Sequence, residues 1–154
     1  MTTSVTEVRA PCPGRLVPMA DTSDPVFAAE MVGPGVAIDP EPRRGTVVSP
    51  VAGRVVKVLP HAFVVLDPNG VGVLVHLGIN TMRLEGRGFE VLATQGGTVG
   101  VGAPMVSWDP STITGEDIST LVIVVAMDRP KGSVLPPPPG AVATTGDVLF
   151  TVVP

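Results

Sequence analysis

Two neighbouring runs, Pro60–Leu66 (PHAFVVL) and Val73–Met82 (VLVHLGINTM), carry both histidines of the chain and decide how the rest is read. Between them, Asp67-Pro68-Asn69-Gly70 has the makings of a tight turn. Proline is pre-set for the first central position, and Asn and Gly tolerate the left-handed backbone that follows. If Asp67 and Gly70 close that turn, opposed residues sum to 137 and His61 lies directly across from His76. One face of the hairpin then carries His61/His76, Phe63/Leu74 and Val65/Gly72. The other carries Ala62/Val75, Val64/Val73 and Leu66/Val71, an aliphatic face suited to a core. Opposed side chains have Cβ atoms about 5 Å apart, so two imidazoles placed in this way can meet on one chemical group. A bulge at Gly70 would shift the register by one and send the histidines to opposite faces. The unshifted pairing is preferred because it gathers six aliphatic residues on one side.

The 154 residues suffice for one domain with a real core. Hydrophobic residues make up 44% but aromatics only 3%, with no Tyr, so that core must be Val, Leu, Ile and Ala. Eighteen Gly and eighteen Pro are dispersed between short valine-rich runs, the punctuation of an all-β domain. The net charge is −4 and the Lys and Arg residues are scattered, which leaves no electrostatic footprint for nucleic acid. A single Cys12 makes no internal disulfide and fits a reducing compartment. The first residues, MTTSVTEVRAP, lack the apolar stretch of a signal peptide, and the longest apolar run, Leu121–Met127, is too short to span a bilayer. The expectation is a soluble, cytoplasmic protein.

Along the chain, residues 1–9 are polar and read as a mobile tail, leaving 10–154 as a single domain. Ala10-Pro-Cys-Pro-Gly-Arg-Leu-Val returns thirty-nine residues later as Ser49-Pro-Val-Ala-Gly-Arg-Val-Val. Val99-Gly-Val-Gly102 and Val142-Ala-Thr-Thr-Gly146 form a second related pair, the latter with one extra residue. Together they predict a duplicated motif in which two hairpin-rich halves close on one another. Ser23 or Asp24 is placed to cap a single helical turn opened by Pro25, and Asp109-Pro110 to open another. Val36–Ile38 reads as a strand, and Leu121–Met127 as a strand buried on both faces. Pro136–Pro139 reads as a stiff polyproline spacer.

These residues resemble the glucose-type IIA domain of the bacterial sugar phosphotransferase system. The matching segments, in the family's order, are Pro11-Cys-Pro-Gly14, Asp24-Pro-Val-Phe-Ala28, Met31-Val-Gly-Pro-Gly-Val-Ala-Ile38, Ser49-Pro-Val-Ala-Gly53, His61-Ala-Phe63, Val75-His-Leu-Gly-Ile-Asn-Thr81 and Glu85-Gly-Arg-Gly-Phe89. The resemblance runs from about Ala10 to Val153. It implies an antiparallel β-sandwich, barrel-like, of duplicated motif with only short helical turns and a shallow apolar depression. It implies that His76 accepts a phosphoryl group on Nε2 from the phosphocarrier protein HPr and passes it to a IIB domain of a membrane sugar permease. His61 would hold the phosphoryl group during transfer, and the backbone carbonyl of Gly78 would fix the His76 tautomer. Val26, Phe27 and Leu74 match positions of the apolar docking rim, Leu59 matches approximately, and Asp24 is the clearest acid to meet a basic partner. The chain departs from the pattern in three places. The threonine before the His-Ala pair is absent because Leu59-Pro60-His61 shortens that loop, Asn80 stands where an acid is usual, and Pro136–Pro139 interrupts the C-terminal pattern.

Three other functions fit parts of the sequence. Zinc peptidases of the lysostaphin type share a related duplicated β motif but need a His-x-His pair with a further His and an Asp, and Leu74 occupies the place two before His76. Two histidines supply no more than a partial zinc site, which a partner's carboxylate would complete for regulation; no cofactor is required. A biotinyl or lipoyl carrier needs a lysine at an exposed hairpin tip, which neither Lys57 nor Lys131 offers. A non-catalytic regulator docking on target proteins through the same face would have this same sequence, and phosphorylation separates the two.

Overall fold

The computed structural model describes residues 5–153. In chain order the strands are β1 (Thr6–Arg9), β2 (Gly14–Val17), β3 (Gly35–Pro40), β4 (Gly45–Val48), β5 (Gly53–Leu59), β6 (Ala62–Leu66), β7 (Gly72–Ile79), β8 (Phe89–Val91), β9 (Thr98–Val99), β10 (Pro104–Trp108), β11 (Ser119–Ala126), β12 (Val142–Ala143) and β13 (Val148–Val152). The one α-helical turn is α1 (Pro25–Ala28), and single 3-10 turns lie at Met19–Asp21, Thr81–Leu84 and Pro110–Thr112. The chain is therefore all-β and antiparallel.

Eight strands form one sheet in the order β12-β2-β3-β11-β7-β6-β5-β9. Read from its two ends inward, this order is the duplication made visible: β12 answers β9, β2 answers β5, β3 answers β6, and β11 meets β7 at the centre. The small sheets repeat the relation, with β1 on β13 and β4 on β10, and β8 added to the far side of β10. The predicted halves do close on one another, but without an extra residue. Gly14 pairs with Ala143 as Gly53 pairs with Val99, so Ala143-Thr-Thr-Gly146 aligns with Val99-Gly-Val-Gly102 one for one. Gly14 and Gly53 are glycines for the same reason, since a Cβ at either would sit 2.2 or 2.1 Å from the carbonyl oxygen of Asp39 or Leu66.

The main core lies between the inner face of the large sheet and the two small sheets. Val36, Ile38, Val55, Phe63, Val73, Val75, Leu77 and Val124 meet Val8, Val47, Met105, Trp108 and Phe150 there, all excluded from water. Burying each such side chain contributes about 1.5–3 kcal/mol, so with few aromatics the core is built from many small increments. β11 is buried on both faces, as its unbroken apolar run predicts: Val122 and Val124 enter the main core, whereas Ile123 and Val125 face the other way.

Two expectations fail here. Residues 1–9 are not a tail throughout. Thr6–Arg9 pair with β13, burying Thr6 and Val8 while Glu7 faces water, and residues 1–4 lie outside the described part. The hairpin register also differs by one. Ala62, not His61, opposes His76, Phe63 opposes Val75 and Val65 opposes Val73, so opposed residues sum to 138. Asp67 and Val71 close the loop, because the Asp67 carboxylate accepts from the backbone N–H groups of Asn69 and Val71 at 3.0 and 2.8 Å. That carboxylate is buried and also receives the Thr6 hydroxyl, so β1 is tied to the loop. Gly70 takes the left-handed conformation at φ 82° that the longer loop requires. Phe63 and Val65 consequently enter the core rather than sharing a face with the histidines.

Candidate active site

The shifted register predicts that the histidines part, yet their rings lie 5.2 Å apart at 71° to one another. The reason is local. β5 and β6 pair through Leu59 opposite Ala62, so Pro60-His61 is a two-residue turn and His61 belongs to no strand. The His61 carbonyl accepts from Leu77 N–H at 2.7 Å, which keeps its backbone at the end of the ladder. Pleat alternation does not govern a turn residue, and the ring is free to lie over the His76 face.

His76 sits on β7 between Ala62 of β6 and Ile123 of β11, on the face opposite the main core. The segment Met19–Val32 covers much of that face and builds a second, smaller core of Met19, Phe27, Ala37, Ile79, Ile123 and Val125. Asp24 opens α1 as its N-cap, its Oδ1 accepting from Val26 N–H at 2.8 Å and Phe27 N–H at 3.2 Å. The cap and Pro25 fix a single turn that aims Phe27 inward, where its ring lies 5.3 Å from that of His76.

Strict alternation along β7 ends at Gly78, whose φ of 84° turns Ile79 onto the histidine face after Leu77 has faced the core. The same bend brings the Gly78 carbonyl 2.5 Å from His76 Nδ1. A carbonyl only accepts, so Nδ1 carries the proton and Nε2 keeps a lone pair. Glycine is required here: a Cβ would lie 2.5 Å from both the Ser119 carbonyl oxygen and Thr81 Cγ2.

Both imidazoles are held below their ordinary pKa. For His61 the cause is burial. For His76 burial is the largest influence, and the neighbouring His61 acts in the same direction. The Gly78 hydrogen bond and the Asp24 carboxylate oppose it without reversing it. Near neutral pH both rings are uncharged, the state in which an imidazole nitrogen is a nucleophile.

The expected docking residues divide. Val26 is 44% exposed and Leu59 37%, and Leu74 is half-buried beside His76. Phe27, expected at an exposed rim, is buried and packs against the His76 ring instead. Asn80 takes a left-handed backbone at φ 63° and donates its Nδ2 to the Asp117 carbonyl. Met31 and Met82, which sequence reasoning passed over, are the most exposed apolar side chains on the two segments that frame the histidines. Among the described residues no three His, Cys, Asp or Glu side chains converge as a metal cage. Nor, among those residues, is any helix long and apolar enough to cross a membrane.

Residues 6–131 match the family described as phosphoenolpyruvate-dependent sugar phosphotransferase system, EIIA 1. The chain is 42% identical over 126 residues to a glucose-specific EIIA component of Staphylococcus aureus, covering 79% of this chain and 75% of that one. With the glucose-specific EIIA component of Halalkalibacterium halodurans it shares 41% over 120 residues, covering 77% and 68%. The solved glucose permease IIA of Mycoplasma capricolum superposes with a TM-score of 0.85 at 28% identity, covering 96% of each chain.

Proposed function

Since the chain belongs to the EIIA family of the phosphoenolpyruvate-dependent sugar phosphotransferase system, we propose that its phosphoryl group travels on Nε2 of His76. EIIA components take a phosphoryl group from HPr and pass it to a IIB domain, and this chain is such a phosphotransferase component. The choice of His76 over His61 rests on one observation, the Gly78 carbonyl on His76 Nδ1. It leaves the lone pair on Nε2 without any dedicated base.

The Nε2 lone pair attacks the phosphorus of phospho-HPr. The new P–N bond forms as the bond to the donor's histidine breaks, and Nδ1 keeps its proton against Gly78. Little covalent work is asked of the protein in such a transfer, and positioning and charge stabilisation do most of it. His61, with its ring 5.2 Å from that of His76, donates an N–H to the phosphoryl oxygens. Phe27 packs against the acceptor ring, while Val26, Leu59 and Leu74 exclude water when a partner docks.

Incubation with phosphoenolpyruvate, Enzyme I and HPr tests the assignment. One acid-labile phosphate per chain is expected, absent in His76→Gln. His61→Gln is expected to accept phosphate and to pass it to a IIB domain slowly. Label persisting in His76→Gln and vanishing in His61→Gln would reverse the two roles.

A further inference from the structure

The family match ends at residue 131, and Leu135 with the four prolines at 136–139 follows it. Each of residues 135–138 stands before a proline, which turns it away from helical backbone, and each proline fixes its own φ. The segment belongs to no helix or strand, and its sequence favours polyproline II geometry, in which every third residue shares a ridge. Burial follows that period. Val134 is buried and Pro137 half-buried, whereas Leu135 is 89% exposed and Pro138 is exposed with it. The outward ridge is thus a leucine followed by proline.

The fold holds this ridge at both ends. Val134 enters the main core on one side. On the other, Gly140 N–H donates to the Leu16 carbonyl at 2.9 Å and Leu16 N–H to the Ala141 carbonyl at 2.8 Å. Between them the prolines share a cleft with Leu16, Val17, Pro18 and Val36. A segment ordered in advance loses little freedom on binding. The Pro138 carbonyl accepts from Ala141 N–H at 3.2 Å, but among the described residues no backbone N–H reaches the carbonyls of Leu135, Pro136 or Pro137. Pyrrolidine faces beside unpaired carbonyls suit aromatic rings that carry a donor at the edge, the indole N–H of Trp or the phenolic O–H of Tyr. A second copy of this chain does not offer such a surface, since it has no Tyr and its single Trp108 is buried.

We propose that residues 135–139 are a docking ligand for a different protein, one with a groove lined by Tyr and Trp, which tethers this chain by the edge of its large sheet. β2, to which the segment is tied, stands three strands from β7, about 14 Å along the sheet. The tether therefore leaves the histidine face open.

Calorimetry of the full chain with an isolated EVH1 domain, a module whose aromatic-lined groove takes proline-rich segments, tests this. Saturable one-to-one binding is expected, weakened about five- to thirtyfold in Leu135→Ala and in Pro138→Ala. Both side chains are exposed, so circular dichroism should not change. Amide NMR shifts on titration should centre on Leu135, Gly140 and Ala141, and labelling from phospho-HPr should run at the same rate with the domain bound. Absence of binding, or equal binding by wild type and both variants, overturns the proposal. Slower labelling in the complex overturns the placement away from the histidines. Self-association of the wild-type chain that Leu135→Ala abolishes would give the segment to a second copy and overturn it as well. The calorimetry does not depend on which histidine carries phosphate.

Discussion

Replacing Gly78 with alanine tests whether the backbone at one residue serves both fold and reaction. At φ 84° an L-residue is strained, by about 1–2 kcal/mol. The new Cβ would also lie 2.5 Å from the Ser119 carbonyl oxygen and from Thr81 Cγ2. Ordinary contacts begin near 3.4 Å, so β11 and the turn after β7 must retreat in two directions, a form of overpacking that costs about 1–3 kcal/mol. The sum is roughly 2–5 kcal/mol, within reach of a domain stable by about 5–15 kcal/mol, so the variant still folds. Its Gly78 carbonyl, pushed from His76 Nδ1, gives up a hydrogen bond worth about 0.5–1.5 kcal/mol, and phosphorylation slows about two- to tenfold. Gly70→Ala is the matched control. It has φ 82° but nothing within 4 Å of its Cβ, so it costs only the strain of about 1–2 kcal/mol and leaves transfer untouched. Urea unfolding and initial rates of labelling from phospho-HPr measure the two effects separately. If Gly78→Ala proves as stable as Gly70→Ala and accepts phosphate at the wild-type rate, the dual role is wrong.

Burial lowers the pKa of both histidines, so the folded chain binds fewer protons than the unfolded one just below the ordinary imidazole pKa. Their contribution to stability is full above about pH 6.5 and declines as pH falls toward the lowered values; urea midpoints should show a shallower fall in the His61→Gln/His76→Gln double variant. For the same reason labelling should be flat from pH 7 to alkaline pH and drop only in acid. Asp24→Ala removes the α1 cap and should cost about 0.5–2 kcal/mol. It should also lower the His76 pKa further, visible in the imidazole NMR titration, because the carboxylate favours the charged ring. Phe27→Ala, which removes the ring packed against His76, should destabilise by about 3–5 kcal/mol and slow transfer from HPr. Labelling from preformed phospho-HPr, with Enzyme I removed, should be insensitive to EDTA if the transfer proposed for His76 runs without a metal.

The architecture was legible because repeated Pro and Gly positions mark the same two strand starts, Gly14 and Gly53, and the same two turns. β1 escaped notice although its place follows from the repeat, since Thr6–Arg9 stands thirty-nine residues before β4 just as Gly14 stands thirty-nine before Gly53. The pairing of the histidines was foreseen by a route that does not hold. Counting across Asp67–Gly70 put them opposite each other on strands, whereas the Asp67 carboxylate gathers a longer loop and shifts the ladder by one. They meet because Pro60-His61 is itself a turn, and a proline ahead of the histidine was the signal available. Which apolar residues stay exposed was not readable from pattern. Phe27 and Val26 are adjacent in sequence, and only the direction imposed by the Asp24 cap separates them.

The two halves of the duplicated sheet are nested along the chain. β4 to β10 form one half from a single continuous stretch, while the other half combines β1 to β3 with β11 to β13 from either side of it. The inner half contains the β5–β6 and β6–β7 hairpins, whose contacts are local and rapid to form. The outer half must wait for distant segments to find each other, the slow part of any β topology. Assembly should therefore proceed from the hairpins that carry His61 and His76 outward. The face proposed to exchange phosphate would then be outlined early in folding, and Phe27 and Ile123 would close around it last.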